Sequence, residues 1–197
     1  MKRVAFTLIE LLVVVAIIGL LVGIVVPSLA SARTQARRIT CAAHLHQVGI
    51  AMVAYMHDSG DRMPFVSYMP SIGPAPLTDD KPIYLADVLS RQIGKQINVL
   101  QCTDDRPGKT DRPVPNTGLS YFQSERSSYE YRTRLAGLTP IEFTAHAGGG
   151  GPSGSHVKVA PNTVWFARDF ENFHGKAGQI GARRYVYIDG NVRDYEN

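Results

Sequence analysis

An apolar run near the N-terminus constrains this chain more than any other feature of its sequence. Uncharged and mainly aliphatic residues extend from Leu11 to Val26, and the run stops at Pro27. A helix over the 21 residues from Phe6 to Val26 would be ~30 Å long, which matches the hydrocarbon thickness of a bilayer. The sequence therefore predicts an N-terminal helix that can span a membrane.

Glu10 is the charged residue of this predicted span. Burying a carboxylate in an apolar stretch of membrane length is costly, so such a residue is a candidate functional group. One interpretation is a tolerated charge near the helix end, whose carboxylate reaches the membrane interface. The other interpretation is that a partner charge meets Glu10 within the apolar phase.

The stretch from Phe6 to Gly19, FTLIELLVVVAIIG, resembles the N-terminal signal of type IV pilins and type II secretion pseudopilins. The resemblance implies a leader peptide of residues 1–5, cleavage by a prepilin peptidase between Ala5 and Phe6, and N-methylation of Phe6. It also implies that Glu10 neutralises the terminal amine of a neighbouring subunit during filament assembly. Ala5 departs from the family pattern, which usually has Gly before the cleavage site.

An ordinary secretory signal is the competing interpretation. Lys2 and Arg3 would form its basic region, Leu11–Val26 its apolar region, and Ala30-Ser31-Ala32 its cleavage site. Such an apolar region is normally shorter, and Glu10 would have no role at its edge. Under this interpretation the protein is a membrane-tethered or Sec-secreted binding protein that does not polymerise.

A second helical segment follows Pro27, with Ser28 as its cap, and few helix breakers occur before Ser59-Gly60. Its apolar residues follow one helical stripe, which predicts a face packed on a globular domain: Cys41, Leu45, Val48, Met52 and Tyr55. A second, weaker edge is expected from Ala43, Ile50 and Ala54. The predicted organisation is a leader (1–5), a membrane and filament-core helix (6–27), an amphipathic half (28–58) and a globular head (59–197).

The head alternates loops with short predicted elements. We expect a short helix over 83–93 and strands over 97–102, 127–132 and 163–168, with loops over 65–82 and 103–118. A C-terminal hairpin should pair 185–188 with 191–195 across Asp189-Gly190, because Asp-Gly supplies the positive φ of a tight turn. One long helix before an antiparallel sheet is an α+β arrangement. The pilin resemblance implies the type IV pilin fold.

Two further predictions concern side chains of the head. Cys41 and Cys102 are the two cysteines, and in an extracytoplasmic domain they form either a disulfide or two buried thiols. Asp104, Asp105 and Asp111 share one loop, and the resemblance to major pseudopilins makes them candidates for calcium. The alternative is that they are solvated loop carboxylates.

A second and looser resemblance covers parts of the remaining chain. The segments 41–51, 100–105 and 174–192 resemble planctomycete-type pilin-like proteins that carry a C-terminal H-x9-DG module. Fourteen residues separate His174 from Asp189, where that module has nine. This resemblance implies no catalytic activity.

Signals of an enzyme are weak throughout. Gly175–Gly181 lacks the Gly-Lys-Ser/Thr order of a P-loop, and the serines near 153 lack a nucleophile elbow. The histidines of the chain have no metal-ligand spacing, so we interpret them as loop or interfacial residues: His44, His46, His57, His146, His156 and His174. We therefore predict a protein that is not an enzyme and has no cofactor other than the calcium just considered.

The resemblance also implies location and partners. The protein would wait in the bacterial inner membrane with its head in the periplasm, in contact with lipid, and then enter a periplasmic or extracellular filament. Its partners would be further copies, other pilins, the prepilin peptidase and the inner-membrane assembly platform. A net charge of +4 is too weak to argue for nucleic acid, and a DNA-uptake pilin is the weaker alternative.

Overall fold

The computed structural model describes residues 8–69, 81–107, 118–142, 144–147, 155–158, 160–176 and 178–194. The chain separates into two compact units, residues 1–37 and residues 38–197. The predicted boundaries at residues 5, 27 and 58 mark the ends of functional segments, not of compact units. They therefore stay predictions.

The first unit consists, where it is described, of the N-terminal part of helix α1 (Leu8–Asp58). The helix continues through Pro27 without interruption. Its large aliphatic side chains from Leu8 to Leu29 are all exposed, and even the least exposed, Val14, is 47% accessible. α1 is therefore long and apolar enough to cross a membrane, a test that a signal sequence near the N-terminus also passes.

The second unit packs around the C-terminal part of α1. Four residues of the predicted stripe are buried there, Cys41, Leu45, Val48 and Met52, while Tyr55 packs half-buried against the core. The expectation of a second buried edge was wrong: Ala43, Ile50 and Ala54 are exposed. The additional buried positions are instead Gly49, Ala51 and Met56. The packed domain covers the flank of the helix that carries these three residues, and hydrophobicity alone does not identify that flank.

A four-stranded antiparallel sheet lies in the second unit. Its strands are β1 (Tyr129–Tyr131), β4 (Trp165–Asp169), β5 (Arg184–Tyr187) and β6 (Val192–Asp194), in the spatial order β1-β4-β5-β6. Strands β2 (Thr144–Ala147) and β3 (Ser155–Lys158) form a separate antiparallel pair. A long helix with this sheet is an α+β layout, as expected.

The predicted C-terminal hairpin is confirmed. β5 pairs with β6 so that Val186 lies opposite Val192 and Tyr185 opposite Arg193. Gly190 in the connecting turn has φ 77°, which is the left-handed conformation that its sequence position predicted. The strands expected over 127–132 and 163–168 are also present, as β1 and β4.

Three short elements differ from expectation. The segment predicted as a strand over 97–102 contains a 3-10 helix, Ile97–Leu100, because alternation over so few residues does not distinguish a strand from a tight helical turn. The helix predicted over 83–93 is limited to α2 (Leu85–Val88) and is followed by turns. Helix α3 (Tyr121–Glu125) was not predicted, although the Ser120 and Gln123 side chains form a capping box at its start.

Candidate functional site

The residues expected to direct processing lie at the N-terminus. Ala5 and Phe6 fall outside the described residues. Glu10 lies in the first turn of α1 and is exposed. A carboxylate at a helix N-terminus is favourably placed, because the unpaired N–H groups of the first turn carry partial positive charge.

Cys41 and Cys102 are joined by a disulfide, with their Cα atoms 4.9 Å apart. Both residues are buried. The bond connects α1 to the segment that follows the 3-10 helix Ile97–Leu100 and closes a loop with a sequence separation of 61 residues. The backbone N–H of Thr103 also donates a hydrogen bond to Cys41 Sγ. Of the two alternatives for the cysteines, the structure therefore has the disulfide.

His174 lies beside the disulfide in a buried cluster. Its Nε2 atom is 3.6 Å from Cys102 Sγ and 3.5 Å from a carboxylate oxygen of Asp169. Its Nδ1 atom is 3.4 Å from a carboxylate oxygen of Asp104. The histidine side chain is wholly inaccessible to solvent. His174 therefore lies in a loop, as expected, but it is buried and in close contact with the disulfide and two carboxylates.

Two arginines connect this cluster to α1 and to the sheet. Arg38 of α1 donates a hydrogen bond to the backbone carbonyl of His174. The Arg184 side chain at the start of β5 donates to the backbone carbonyl of Arg38, and its backbone N–H donates to Asp169. The cluster therefore joins three segments that are distant in sequence.

Burial sets the charge state of the cluster. Burial raises the pKa of Asp169 to about 7, although the Arg184 N–H and the positive charge of Arg184 partly oppose the rise. Burial also lowers the pKa of His174 to about 4, with the Arg184 charge acting in the same direction and Asp104 opposing it. Burial thus favours the uncharged form of both side chains.

Asp105 has a structural role at the start of α3. Its carboxylate accepts hydrogen bonds from the backbone N–H groups of Tyr121 and Phe122 and from the Ser128 hydroxyl. Burial raises the pKa of Asp105, while these three bonds oppose the rise. Because Asp104 is buried as well, the alternative that these two residues are solvated loop carboxylates is wrong.

The calcium prediction involves the same loop. Both carboxylate oxygens of Asp105 accept hydrogen bonds from backbone N–H groups, and one oxygen of Asp104 lies 3.4 Å from His174 Nδ1. Asp111, the third candidate, lies outside the described residues. Calcium at this loop stays a prediction.

Cys41, Cys102 and His174 place three potential metal-ligand atoms within 4.8 Å of one another. Both sulfur atoms are committed to the disulfide, and metals bind the thiolate form of cysteine. The arrangement is therefore suited to holding α1 against the domain rather than to binding a metal. Sequence spacing gave no signal for this triad, since His174 is 72 residues from Cys102.

α1 also packs closely on the C-terminal hairpin. A Cβ atom at Gly49 would lie 3.2 Å from the Cα and carbonyl oxygen of Gly190. His46, one turn earlier, forms a 2.7 Å hydrogen bond between Nδ1 and the Gly190 carbonyl oxygen. His44 forms a similar bond of 2.8 Å to the carbonyl oxygen of Gln101. These histidines therefore attach the helix to the domain through the protein backbone.

Comparisons with known proteins give no match: no family model, no curated protein and no solved structure is significantly similar to this chain.

Proposed function

We propose that the protein is a structural subunit of a type IV pilus-like or type II secretion pseudopilus filament, built on the type IV pilin fold. In this proposal a prepilin peptidase removes residues 1–5, Phe6 is methylated, and the subunit waits in the inner membrane. The globular head faces the periplasm. Assembly then packs the N-terminal helices of many copies into the filament core.

The observation that carries the proposal is the composition and exposure of α1. Its large aliphatic side chains from Leu8 to Leu29 are exposed, and Glu10 is the carboxylate among them. Removal of so much apolar surface from water is strongly favourable, either in lipid or against further copies of the helix. A signal sequence that is cleaved away would need no carboxylate at this position.

Glu10 supports the filament over a simple anchor. Inside a core of packed helices, a lone carboxylate or a lone terminal amine is costly. The pair formed by Glu10 and the Phe6 amine of a neighbouring copy would offset that cost for both groups. Because one axial offset brings the two groups together, the pair would also define the register between subunits.

The contacts of the C-terminal part of the same helix support a role in transmitting force between the filament core and the head. Cys41 is covalently bonded to Cys102, and Arg38 and His46 bond to backbone carbonyls of the domain. A subunit held in a filament by its N-terminal helix transmits force to its head through this segment. A disulfide and part-buried hydrogen bonds at that point are suited to resisting this force.

The decisive experiment measures the mass of the mature N-terminus in the native host. The proposal expects a chain that begins at methylated Phe6, and an uncleaved chain when the prepilin peptidase gene is deleted. A chain that begins at Arg33 would show a secretory signal and would contradict the proposal. An uncleaved chain in both strains, monomeric in detergent, would identify a tethered binding protein instead.

A further inference from the structure

Four side chains that can bind a metal ion meet at the disulfide. The Sγ atoms of Cys41 and Cys102 and a ring nitrogen of His174 lie within 4.8 Å of one another. Asp169 adds a carboxylate oxygen 3.5 Å from His174 Nε2. All four residues are buried, and they are called the four-ligand cluster below. The disulfide keeps its sulfur atoms from a metal, but reduction frees both as soft ligands.

The distances in the four-ligand cluster match those of a tetrahedral zinc site. Bonds of about 2.3 Å to sulfur and about 2.1 Å to nitrogen or oxygen separate sulfur from nitrogen by about 3.6 Å, and nitrogen from oxygen by about 3.4 Å. Cys102 Sγ lies 3.6 Å from His174 Nε2, which lies 3.5 Å from an oxygen of Asp169. Two sulfur ligands of one zinc lie about 3.8 Å apart, which they reach only after their bond is broken.

Asp169 has an oxygen atom that the protein leaves without a partner. Its Oδ2 atom accepts a hydrogen bond from the backbone N–H of Arg184. Its Oδ1 atom is buried and has no hydrogen-bond partner among the described residues. A buried carboxylate oxygen without a partner is uncommon and costly, so a cation bound to Asp169 would stabilise it.

The surroundings of His174 also suit a metal ligand. Its Nε2 atom faces Cys102 and Asp169, while its Nδ1 atom lies 3.4 Å from a carboxylate oxygen of Asp104. A histidine that binds a metal through one ring nitrogen typically directs the other nitrogen at a carboxylate or a carbonyl group. Asp104 is therefore placed to fix the orientation of the ring.

Two arginines lie close enough to offset the charge of such a site. Two thiolates and one carboxylate around Zn²⁺ leave one excess negative charge. The Arg38 side chain donates a hydrogen bond to the His174 carbonyl, and the Arg184 side chain donates to the Arg38 carbonyl. Positive charge near a cysteine also favours its thiolate form, which is the form that binds metals.

We infer that the four-ligand cluster binds one zinc ion when the protein is reduced. A dithiol would break the disulfide, give two electrons and two protons to the cysteine sulfur atoms, and become a disulfide itself. Zn²⁺ would then displace the two thiol protons to solvent. The ion would connect α1, the segment after Ile97–Leu100, β4 and the loop after β4. It would thus replace the covalent connection that reduction removes, and this role is independent of the proposed filament function.

The test uses the purified full-length chain in detergent, with Zn²⁺ alone as the probe. A phosphine reduces the disulfide anaerobically, takes up an oxygen atom from water, and is removed by gel filtration. Titration against a chromophoric chelator should show one bound zinc per reduced chain and none per oxidised chain. Co²⁺ in place of Zn²⁺ should give the visible absorption of tetrahedral cobalt and a cobalt–thiolate charge-transfer band.

Three variants separate the ligands from other histidines and carboxylates. His174→Asn should raise the Kd for Zn²⁺ by more than about a hundredfold, because it removes a direct ligand. Asp104→Asn keeps all four ligands and should raise the Kd by about 10–100-fold, because it changes the partner of His174 Nδ1. His57→Asn is the matched control, since its side chain is 90% exposed, and its Kd should equal that of the unmodified protein.

Stability supplies a second measurement. Zinc should raise the urea midpoint of the reduced unmodified protein and leave that of the oxidised protein unchanged, because a ligand stabilises the folded state that binds it. No zinc binding by the reduced unmodified protein would overturn the inference. Equal affinities of the His174→Asn variant and its parent would also overturn it, since thiols alone would then hold the ion. If this variant does not fold, absence of tetrahedral cobalt in the parent would overturn it.

Discussion

A Cβ atom at Gly49 would lie only 2.8 Å from Cγ2 of Val186. Glycine at this position therefore determines how closely α1 approaches strand β5. The same imaginary atom would lie 3.2 Å from the backbone of Gly190, which cannot rotate away as a side chain can. The helix and the C-terminal hairpin are thus in close contact at Gly49, where an additional atom fits only if the structure shifts.

Gly49→Ala should destabilise the protein. Alanine favours a helix, but relief of the contacts with Val186 and Gly190 requires the hairpin to shift, and overpacking of this kind costs about 1–3 kcal/mol. Chemical denaturation followed by tryptophan fluorescence measures the change, since Trp165 lies in β4. Gly19→Ala is the control, because nothing lies within 4 Å of a Cβ atom there. Equal stability of the two variants would show that the close approach is unimportant.

Loss of the disulfide should have a larger effect. The double substitution Cys41→Ser and Cys102→Ser removes a bond that closes a long loop, and such losses typically cost about 2–5 kcal/mol. Urea denaturation of this variant should show a lower midpoint than that of the unmodified protein. Added dithiol should lower the midpoint of the unmodified protein and leave that of the variant unchanged. A variant as stable as its parent would refute a stabilising role for the bond.

The Asp169–His174 pair should produce opposing pH effects. The pKa of Asp169 rises from 3.8 to about 7 on folding, so the folded state binds the extra proton, and this contribution to stability falls as pH rises through that range. The pKa of His174 falls from 6.5 to about 4, so the unfolded state binds the extra proton. Its contribution to stability therefore falls as pH decreases from 6.5 to 4.

Separate substitutions should reveal how the contribution of each residue to stability depends on pH. In the His174→Asn variant only Asp169 of the pair still titrates. Acidification from about pH 7 to 5 should therefore stabilise this variant relative to the unmodified protein. In the Asp169→Asn variant only His174 still titrates. The same acidification should therefore destabilise this variant relative to the unmodified protein. Denaturation midpoints at several pH values measure both changes. Parallel pH profiles for both variants and their parent would contradict the assigned shifts.

Glu10→Ala tests the assembly role of the carboxylate. The variant should reach the membrane and be processed normally, because the apolar stretch remains, but it should be absent from sheared filaments. Glu142→Ala is a charge-matched control, because it removes an exposed carboxylate from the second unit. Normal incorporation of the Glu10 variant, by immunoblot of the filament fraction, would exclude the proposed pairing with the Phe6 amine.

Local signals were sufficient for several elements. The stripe from Cys41 to Met52 identified the buried face of α1, because helical periodicity is a property of neighbouring residues. Asp189-Gly190 located the hairpin, because a turn depends on the backbone freedom of its own residues. The 3-10 helix Ile97–Leu100 was mistaken for a strand, because a strand also needs a neighbour to pair with.

Fewer features of the candidate site could be predicted from the sequence. The sequence identified Cys41 and Cys102 as possible partners but left both a disulfide and free thiols open. It gave no reason to place His174 beside them, or to expect Asp104 and Asp105 to be buried. These side chains belong to segments that meet only after α1, the loop at 102–105 and the loop after β4 have packed together.

The amino-acid pattern was enough to identify an N-terminal helix with a membrane-length apolar stretch that contains Glu10, followed by a part with one apolar stripe. It also determined the C-terminal hairpin, because propensity, periodicity and turn chemistry act over a few neighbouring residues. Packing between distant segments established which flank of α1 is covered, what surrounds His174, and which arginines lie over the rings of Trp165 and Tyr187. Those outcomes depend on contacts between residues that are far apart along the chain, and no local pattern records them.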